Sequence, residues 1–182
     1  MVMNQDSKQA LRALMKQRAK AFGQDREAEA SALIMKRLEQ VPEFAAARTV
    51  LMYMSIPGEV QTAGFIAQCP KRIAIPLVSG DELELRLYDP ALLVPGYRGI
   101  LEPSPQAARV DPSEIDFAVI PGVAFERKDG KVWRMGRGKG FYDRLLPRLH
   151  CPVWAAAFAY RLVSGLPLDP WDAPLDGIVT EI

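Results

Sequence analysis

The chain has 182 residues, 49% of them hydrophobic and 25% charged, and a formal net charge of +1. A chain of this length buries about 70% of its unfolded surface on folding, so residues 1–182 are expected to form a single domain. The near-neutral total argues against bulk attraction to nucleic acid or to a membrane, and any anion site must come from local clustering of cations.

The N-terminal stretch "MVMNQDSKQALRALMKQRAK" is polar and basic without a continuous apolar core, so it does not read as a secretory signal. From residue 7 to 22 the apolar positions Leu11, Leu14, Met15 and Phe22 recur at helical spacing. On the same helix Lys8, Arg12, Lys16 and Lys20 follow one another four residues apart and stack on one face. Like charges at that spacing repel by roughly 0.2–0.5 kcal/mol per pair, a sign that a bound polyanion would reverse. A solvated basic face is the alternative. A second helix is expected over about 25–40, with Ala28, Ala32, Leu33, Met35 and Leu38 inward and Pro42 just past its end.

Beyond it the texture changes to strands. "RTVLMYM" (48–54), "RIAIPLV" (72–78) and the alternating "ELELRLY" (82–88) read as strands, with "TAGFIAQ" (62–68) a short helix between the first two. "DFAVIPGVAF" (116–125) reads as a buried strand broken by Pro-Gly, and "VWAAAFA" (153–159) and "GIVTEI" (177–182) as further strands. Residues 89–115, with Pro90, Pro95, Pro103, Pro105 and Pro112 and the glycines Gly96 and Gly99, are expected to be a long loop over the sheet edge. Strands that alternate with helices, several of them continuous apolar runs, predict an α/β fold. It is a three-layer α/β/α arrangement with a largely parallel sheet flanked by helices.

The two cysteines, Cys69 and Cys151, make no disulfide framework, and no Cys/His ligand spacing is present. The only histidine, His150, follows a helix-like run, where a cation at the last turn is the ordinary reading and catalysis the sharper one. The most apolar late run, "CPVWAAAFAY", is too short to span a bilayer and contains a proline. A cytoplasmic protein with reduced thiols is expected.

The densest feature is "RMGRGKGFYDRLL" (134–146). Gly136, Gly138 and Gly140 alternate with Arg137 and Lys139, Arg134 precedes them, and a helix-like run starts at Phe141. Side-chain-poor backbone lets N–H groups converge on an anion, and a helix start adds partial positive charge. The spacing is not a Walker loop, and Phe141 stands where a dinucleotide fingerprint has its third glycine. A flexible surface loop with solvated charges is the plain alternative. Asp143 would repel phosphates directly unless magnesium bridged them; it could equally be an acid favoured in a first helical turn. In "YMSIPGEVQT" (53–62) a Pro-Gly turn presents Glu59 at a strand end, either to orient a ligand or to cap the helix that follows. In "LPLDPWDAPLDGIVTEI" the acids Asp169, Asp172 and Asp176 cluster, as turn residues or as a second magnesium ligand.

Together "KQALR", "MSIPGEV", "PGVAFERKDG", "RMGRGKGFYDRLL" and the closing "LPLDPWDAPLDGIVTEI" make the chain resemble the 5-formyltetrahydrofolate cyclo-ligase (methenyltetrahydrofolate synthetase) family nearly end to end. The resemblance implies an enzyme dependent on ATP and magnesium that converts 5-formyltetrahydrofolate to 5,10-methenyltetrahydrofolate. It implies ATP contacts from Lys8 and Arg12 and from Arg134, Met135, Gly136, Arg137, Gly138, Lys139, Gly140, Phe141 and Tyr142. It implies folate contacts from Met54, Glu59 and Tyr142, magnesium at Asp143 and Asp172, and Lys139 and Arg137 as the cations that serve the reaction. A monomer with a small-molecule substrate is expected, and the neutral overall charge and the lack of a long apolar run argue against nucleic-acid and membrane partners. The chain departs from the family at Arg161, where a glutamine often follows the "AF" pair. Two other readings compete. One is a single-stranded nucleic-acid module using Trp133, Phe141 and Tyr142 among Arg134, Arg137, Lys139 and Arg144. The other is a different ATP-dependent kinase or ligase with the same loop and another acceptor.

Overall fold

The structure, a computed structural model, describes residues 2–96 and 99–182. Two helices lead the chain, α1 (Val2–Phe22) and α2 (Gln24–Leu38), joined at Gly23, whose φ of 86° suits only a residue without a Cβ. A short α3 (Pro42–Ala46) starts with proline at its first position, so Pro42 opens a helix as well as ending the previous one.

A seven-stranded sheet follows, in the order β11-β10-β7-β1-β2-β3-β6. Its strands are β1 (Thr49–Leu51), β2 (Arg72–Ser79), β3 (Glu82–Leu87), β6 (Arg109–Val110), β7 (Phe117–Ile120), β10 (Val153–Ala156) and β11 (Gly177–Val179). The block from β11 to β2 is parallel, with Val50 opposite both Ile73 and Phe117, and Ala155 opposite both Ile120 and Ile178. β3 and β6 add an antiparallel edge. The expected fold class, α/β with a largely parallel sheet, is what the chain adopts.

Alternation along the strands splits the core between the two faces. Val50, Met52, Ile73, Ile75, Phe117, Val119 and Ala156 join Ile34, Met35, Leu38 and Phe44 from α2 and α3 and Ile66 from α4 (Ala63–Gln68). Leu51, Ala74, Ala118, Ile120, Val153, Ala155 and Ile178 face the other way. Among the described residues one short α-helix, α5 (Phe141–Leu145), and the turn after it pack on that second face, and a hairpin adds Phe125 and Val132 to the layer. The hairpin is β8 (Ala124–Lys128) and β9 (Lys131–Met135), turned by Asp129 (φ 53°) and Gly130 (φ 73°). Two central residues at positive φ are the signature of a tight turn that matches strand twist.

Several expected boundaries move. α2 buries Ala30, Ser31, Ile34, Met35 and Leu38, while Ala28, Ala32 and Leu33 are exposed, so its inward face is rotated from the one expected. The run 116–125 breaks at Pro121-Gly122 as expected; what is new is that its second half, β8, leaves the main sheet for the hairpin. α5 stops at Leu145 and passes into a 3₁₀ turn (Leu146–Arg148) around Pro147, which leaves His150 exposed beyond its end. The stretch 89–115 holds structure after all: β4 (Leu93–Pro95) pairs with β5 (Leu101–Pro103), and β6 extends the main sheet. Positions 97 and 98 of that stretch lie outside the described residues.

One buttress at the foot of the sheet gives a stability prediction. The exposed Asp116 carboxylate accepts hydrogen bonds from the N–H groups of Arg48 (3.0 Å) and Thr49 (2.8 Å), which fixes the entry to β1. Those backbone bonds, that of Thr49 first, hold its pKa below the usual carboxylate value. A depressed folded pKa contributes stability above the unfolded pKa and loses it as the pH falls through the folded one. Asp116→Ala should therefore lower stability by about 1 kcal/mol at neutral pH, and the gap between mutant and wild type should close in acid, once the pH has fallen below the usual carboxylate range. Thermal melts at neutral and acid pH check this, and a gap that stays constant would assign the loss to something other than the carboxylate.

Candidate functional site

The parallel block sets where the site lies. In open α/β sheets ligands bind beyond the carboxyl ends of the strands, and a cleft of about 860 Å3 opens there. Tyr53 and Met54 enter it after β1, Pro121 and Gly122 after β7, and Pro76 and Val78 from the end of β2. Leu83, Ile100 and Leu101 complete an apolar wall opposite the glycine loop.

The 56–59 turn presents the acid. Pro57 and Gly58 (φ 83°) occupy its centre, and the Glu59 N–H donates to the Ile56 carbonyl at 3.0 Å, the geometry of a turn with glycine at its third position. The Glu59 carboxylate turns back to accept from the Ile56 N–H (3.2 Å) and from Arg137 Nη2 (3.0 Å) and Nε (3.3 Å). It therefore does not cap α4. It is buried to 8% exposure, yet it borders the cleft. Tyr53 and Tyr142 also line the cleft, and burial first, then the Glu59 charge, holds both phenols protonated well above their ordinary pKa.

The glycine loop is shaped from three sides. Gly138 (φ 98°) and Gly140 (φ 70°) take left-handed conformations, and Gly140 stands directly before α5. Arg12 reaches from α1 to donate from Nε to the Gly136 carbonyl at 3.2 Å, and a Cβ at Gly138 would meet its guanidinium at 3.3 Å. Arg144 holds the Lys139 carbonyl at 3.0 Å. The Lys139 side chain is exposed and has no hydrogen-bond or ion-pair partner among the described residues. It is a cation held by its backbone with its charge uncommitted.

The other expected site residues are arranged unequally. Gly136, Arg137, Lys139, Gly140, Phe141, Tyr142 and Asp143 line the cleft together with Met54 and Glu59. Arg134 lines it too, but its side chain is 4% exposed and its charge answers Asp143 (Nη2 to Oδ1, 2.6 Å). Arg134 is thus less a free phosphate ligand than the wall that fixes Asp143. The Met135 side chain points away, into the cluster that Met15, Val123, Ala124 and Leu166 form under α1. Lys8 lies outside the cleft lining and pairs with Asp169 (2.6 Å) and Asp172 (3.3 Å). Asp172 also accepts from the Asp169 N–H at 2.7 Å. Asp176 serves a different end, accepting from the Val153 N–H at 2.9 Å and from Lys131.

Asp143 and Asp172, the two expected magnesium ligands, therefore sit on separate elements, each beside a cation. Among the described residues no group of three or more His, Cys, Asp or Glu side chains gathers. Asp143 lines the cleft, whereas Asp172 lies outside its lining with Lys8; magnesium keeps several waters and takes phosphate oxygens, so it needs few carboxylates close at hand. Of the residues that the nucleic-acid reading used, Trp133 packs under α1, Arg134 is held by Asp143 and Arg144 by the Asp81 and Lys139 carbonyls, while Arg137, Lys139, Phe141 and Tyr142 line the cleft. No helix among the described residues is long and apolar enough to cross a membrane.

The family model described as the 5-formyltetrahydrofolate cyclo-ligase family matches residues 4–181. The chain belongs to that family. Among its relatives is the 5-formyltetrahydrofolate cyclo-ligase of Escherichia coli, 32% identical over 178 residues, which span 92% of this chain and 96% of the relative. The mouse cyclo-ligase is 26% identical, over 96% of this chain and 94% of its own. Among solved structures, the 5,10-methenyltetrahydrofolate synthetase of Aquifex aeolicus superimposes with a TM-score of 0.84 at 34% identity, covering 96% of this chain and 89% of that one. The synthetase of Mycoplasma pneumoniae gives 0.75 at 26% identity, covering 96% and 99%. Membership in this cyclo-ligase family fits a cleft that joins a glycine-rich cationic loop to an acid-bearing turn.

Proposed function

We propose that the protein converts 5-formyltetrahydrofolate to 5,10-methenyltetrahydrofolate at the expense of ATP, with magnesium, releasing ADP and phosphate. The observation that carries this reading is one cleft holding the 136–140 loop on one side and the Glu59 turn with an apolar wall on the other. The first suits phosphates and the second a planar, hydrogen-bonding ring system. The end-to-end family match supports the substrate.

A formyl oxygen is a poor leaving group. Transfer of the γ-phosphoryl group to that oxygen turns it into phosphate. The 10-amino nitrogen of the folate then attacks the formyl carbon, the ring closes, and the C–O bond breaks to release phosphate. Such transfer needs positioning and charge neutralisation more than a protein nucleophile. Lys139, exposed and unpaired among the described residues, supplies charge to the transferring group, and Arg137, which lines the same cleft beside Glu59, does so too. Glu59 orients the folate by accepting from its ring N–H groups, and Met54 and Tyr142 pack against it. Asp143 and Asp172 are the residues that would hold magnesium, whose contribution is to neutralise phosphate charge. Lys8 and Arg12 secure the nucleotide from α1. A monomer in the cytoplasm remains part of this proposal, and its two cysteines stand unbridged.

The test mixes protein, 5-formyltetrahydrofolate and magnesium with and without ATP and follows the methenyl chromophore. Growth of the chromophore only with ATP is expected. Turnover without ATP, or none with it, would remove the reading.

A further inference from the structure

Arg161 stands where the resemblance expected a glutamine, and its surroundings are unusual. It is 6% exposed, and no carboxylate pairs with it among the described residues. A buried guanidinium without an anion is costly unless other groups compensate. Here the compensation comes from two backbone carbonyls. Nη1 donates to the Val123 carbonyl at 2.8 Å and Nη2 donates to the Gly58 carbonyl. The guanidinium also lies over the Tyr160 ring, 5.2 Å from its centroid, and Nε has no partner among the described residues.

Those two carbonyls do not line the cleft themselves, but each adjoins in sequence a residue that does. Gly58 immediately precedes Glu59 in the turn that follows β1, and Val123 follows the cleft-lining Pro121-Gly122 after β7. The Val123 N–H in turn donates to the Met135 carbonyl at 2.8 Å, directly before the glycine loop. One planar fork thus joins the acid-bearing turn to the segment from which the nucleotide loop departs. A lysine could place charge there but could not span both acceptors with fixed geometry.

We infer that Arg161 is a positioning residue for substrate recognition: it clamps the Gly58 and Val123 turns together from behind the cleft and so sets the place of the Glu59 carboxylate. The inference rests on the folate reading of the site. Its charge is not what matters; the two-point attachment is. Arg161 does not line the cleft, so it acts through Glu59 and not by touching the substrate.

The test compares wild type with Arg161→Met, Arg161→Lys, Glu59→Gln and the Arg161→Met/Glu59→Gln double variant. Arg161→Met should raise KM for the folate about tenfold or more while KM for ATP stays within about twofold. Arg161→Lys should recover only part of that loss. In the Glu59→Gln background Arg161→Met should add little, because both changes remove the same placed carboxylate. Backbone amide exchange at Ile56, Gly58 and Glu59, read without any ligand, should accelerate in Arg161→Met. Additive effects, equal rises in both KM values, full rescue by lysine, or unchanged exchange would each overturn the clamp. If Arg161→Met does not fold, Arg161→Lys carries the same measurements. Failure of the folate reading would show separately, as wild type that forms no methenyl product.

Discussion

Lys139→Ala should lower turnover by about 100- to 1000-fold while leaving the fold intact, the range found when one preorganised charge is removed from a transition state. The structural reason is the isolation of the side chain. Arg12, Arg134, Arg137 and Arg144 all engage carbonyls or carboxylates around the loop. Lys139 engages nothing among the described residues, so the exposed ammonium is held in place only by the conformation of its backbone. Deleting it breaks no interaction of the folded protein, and the thermal midpoint should move by less than about 1 °C. The loss should fall on kcat and on kcat/KM together, as it does for a contact made in the transition state alone. Chromophore formation under saturating ATP and folate, with a melt on the same sample, measures both. Wild-type turnover in the variant would remove Lys139 from the mechanism.

Asp143→Asn should have two separable effects. The first is on stability. The Arg134 side chain is 4% exposed, and its ion pair is with a carboxylate that is 33% exposed. Neutralising that carboxylate leaves a buried cation without a counter-charge, its polar contacts being an amide oxygen and the Pro121 carbonyl at 3.3 Å. A fully buried pair would lose about 3–5 kcal/mol on such a change; the partial exposure of Asp143 brings the expectation down to about 1–3 kcal/mol. The second effect is on metal. The magnesium concentration for half-maximal turnover should rise by at least about tenfold, because one of only two candidate carboxylates is lost. Melting curves without ligand isolate the first effect, and a magnesium titration at fixed ATP isolates the second. An unchanged magnesium requirement with a lowered melting point would confine Asp143 to holding Arg134.

The two variants also separate what the sequence discloses from what it hides. The loop was legible because glycines, cations and a helix start coincide within a few residues, and the structure places Gly136, Arg137, Lys139 and Gly140 on one cleft. Glu59 was legible for a similar local reason, a Pro-Gly turn at a strand end. Arg134 was not. Within the loop motif it reads as one more phosphate cation, yet it sits on β9, and it packs inward against Asp143. That outcome depends on where the hairpin lies in space, which local spacing does not encode. The phase of α2 went astray for a related reason. Ser31 reads as outward by its polarity, yet its hydroxyl is buried and accepts from the Gln61 N–H at 3.0 Å. Once Ser31 faces inward, Ile34 and Leu38 follow and Leu33 turns out. The apolar wall from Pro76, Val78, Leu83, Ile100 and Leu101 was invisible because it joins β2, β3 and β5 only in three dimensions. The proline-rich stretch hid β4 and β5, since each strand carries its proline at its last residue, where few ladder bonds are lost.

The tie between Lys8 and the Asp169–Asp172 segment spans 161 and 164 residues of chain. Its distance along the sequence costs little at equilibrium, since closure entropy grows only with the logarithm of length. It matters in time. During synthesis Lys8 emerges 161 and 164 residues ahead of its two acids, and β11, the edge strand, follows them. A nascent chain therefore carries α1 undocked at that end until the Asp169–Asp172 segment has been made, and that helix is where a chaperone would find the protein waiting.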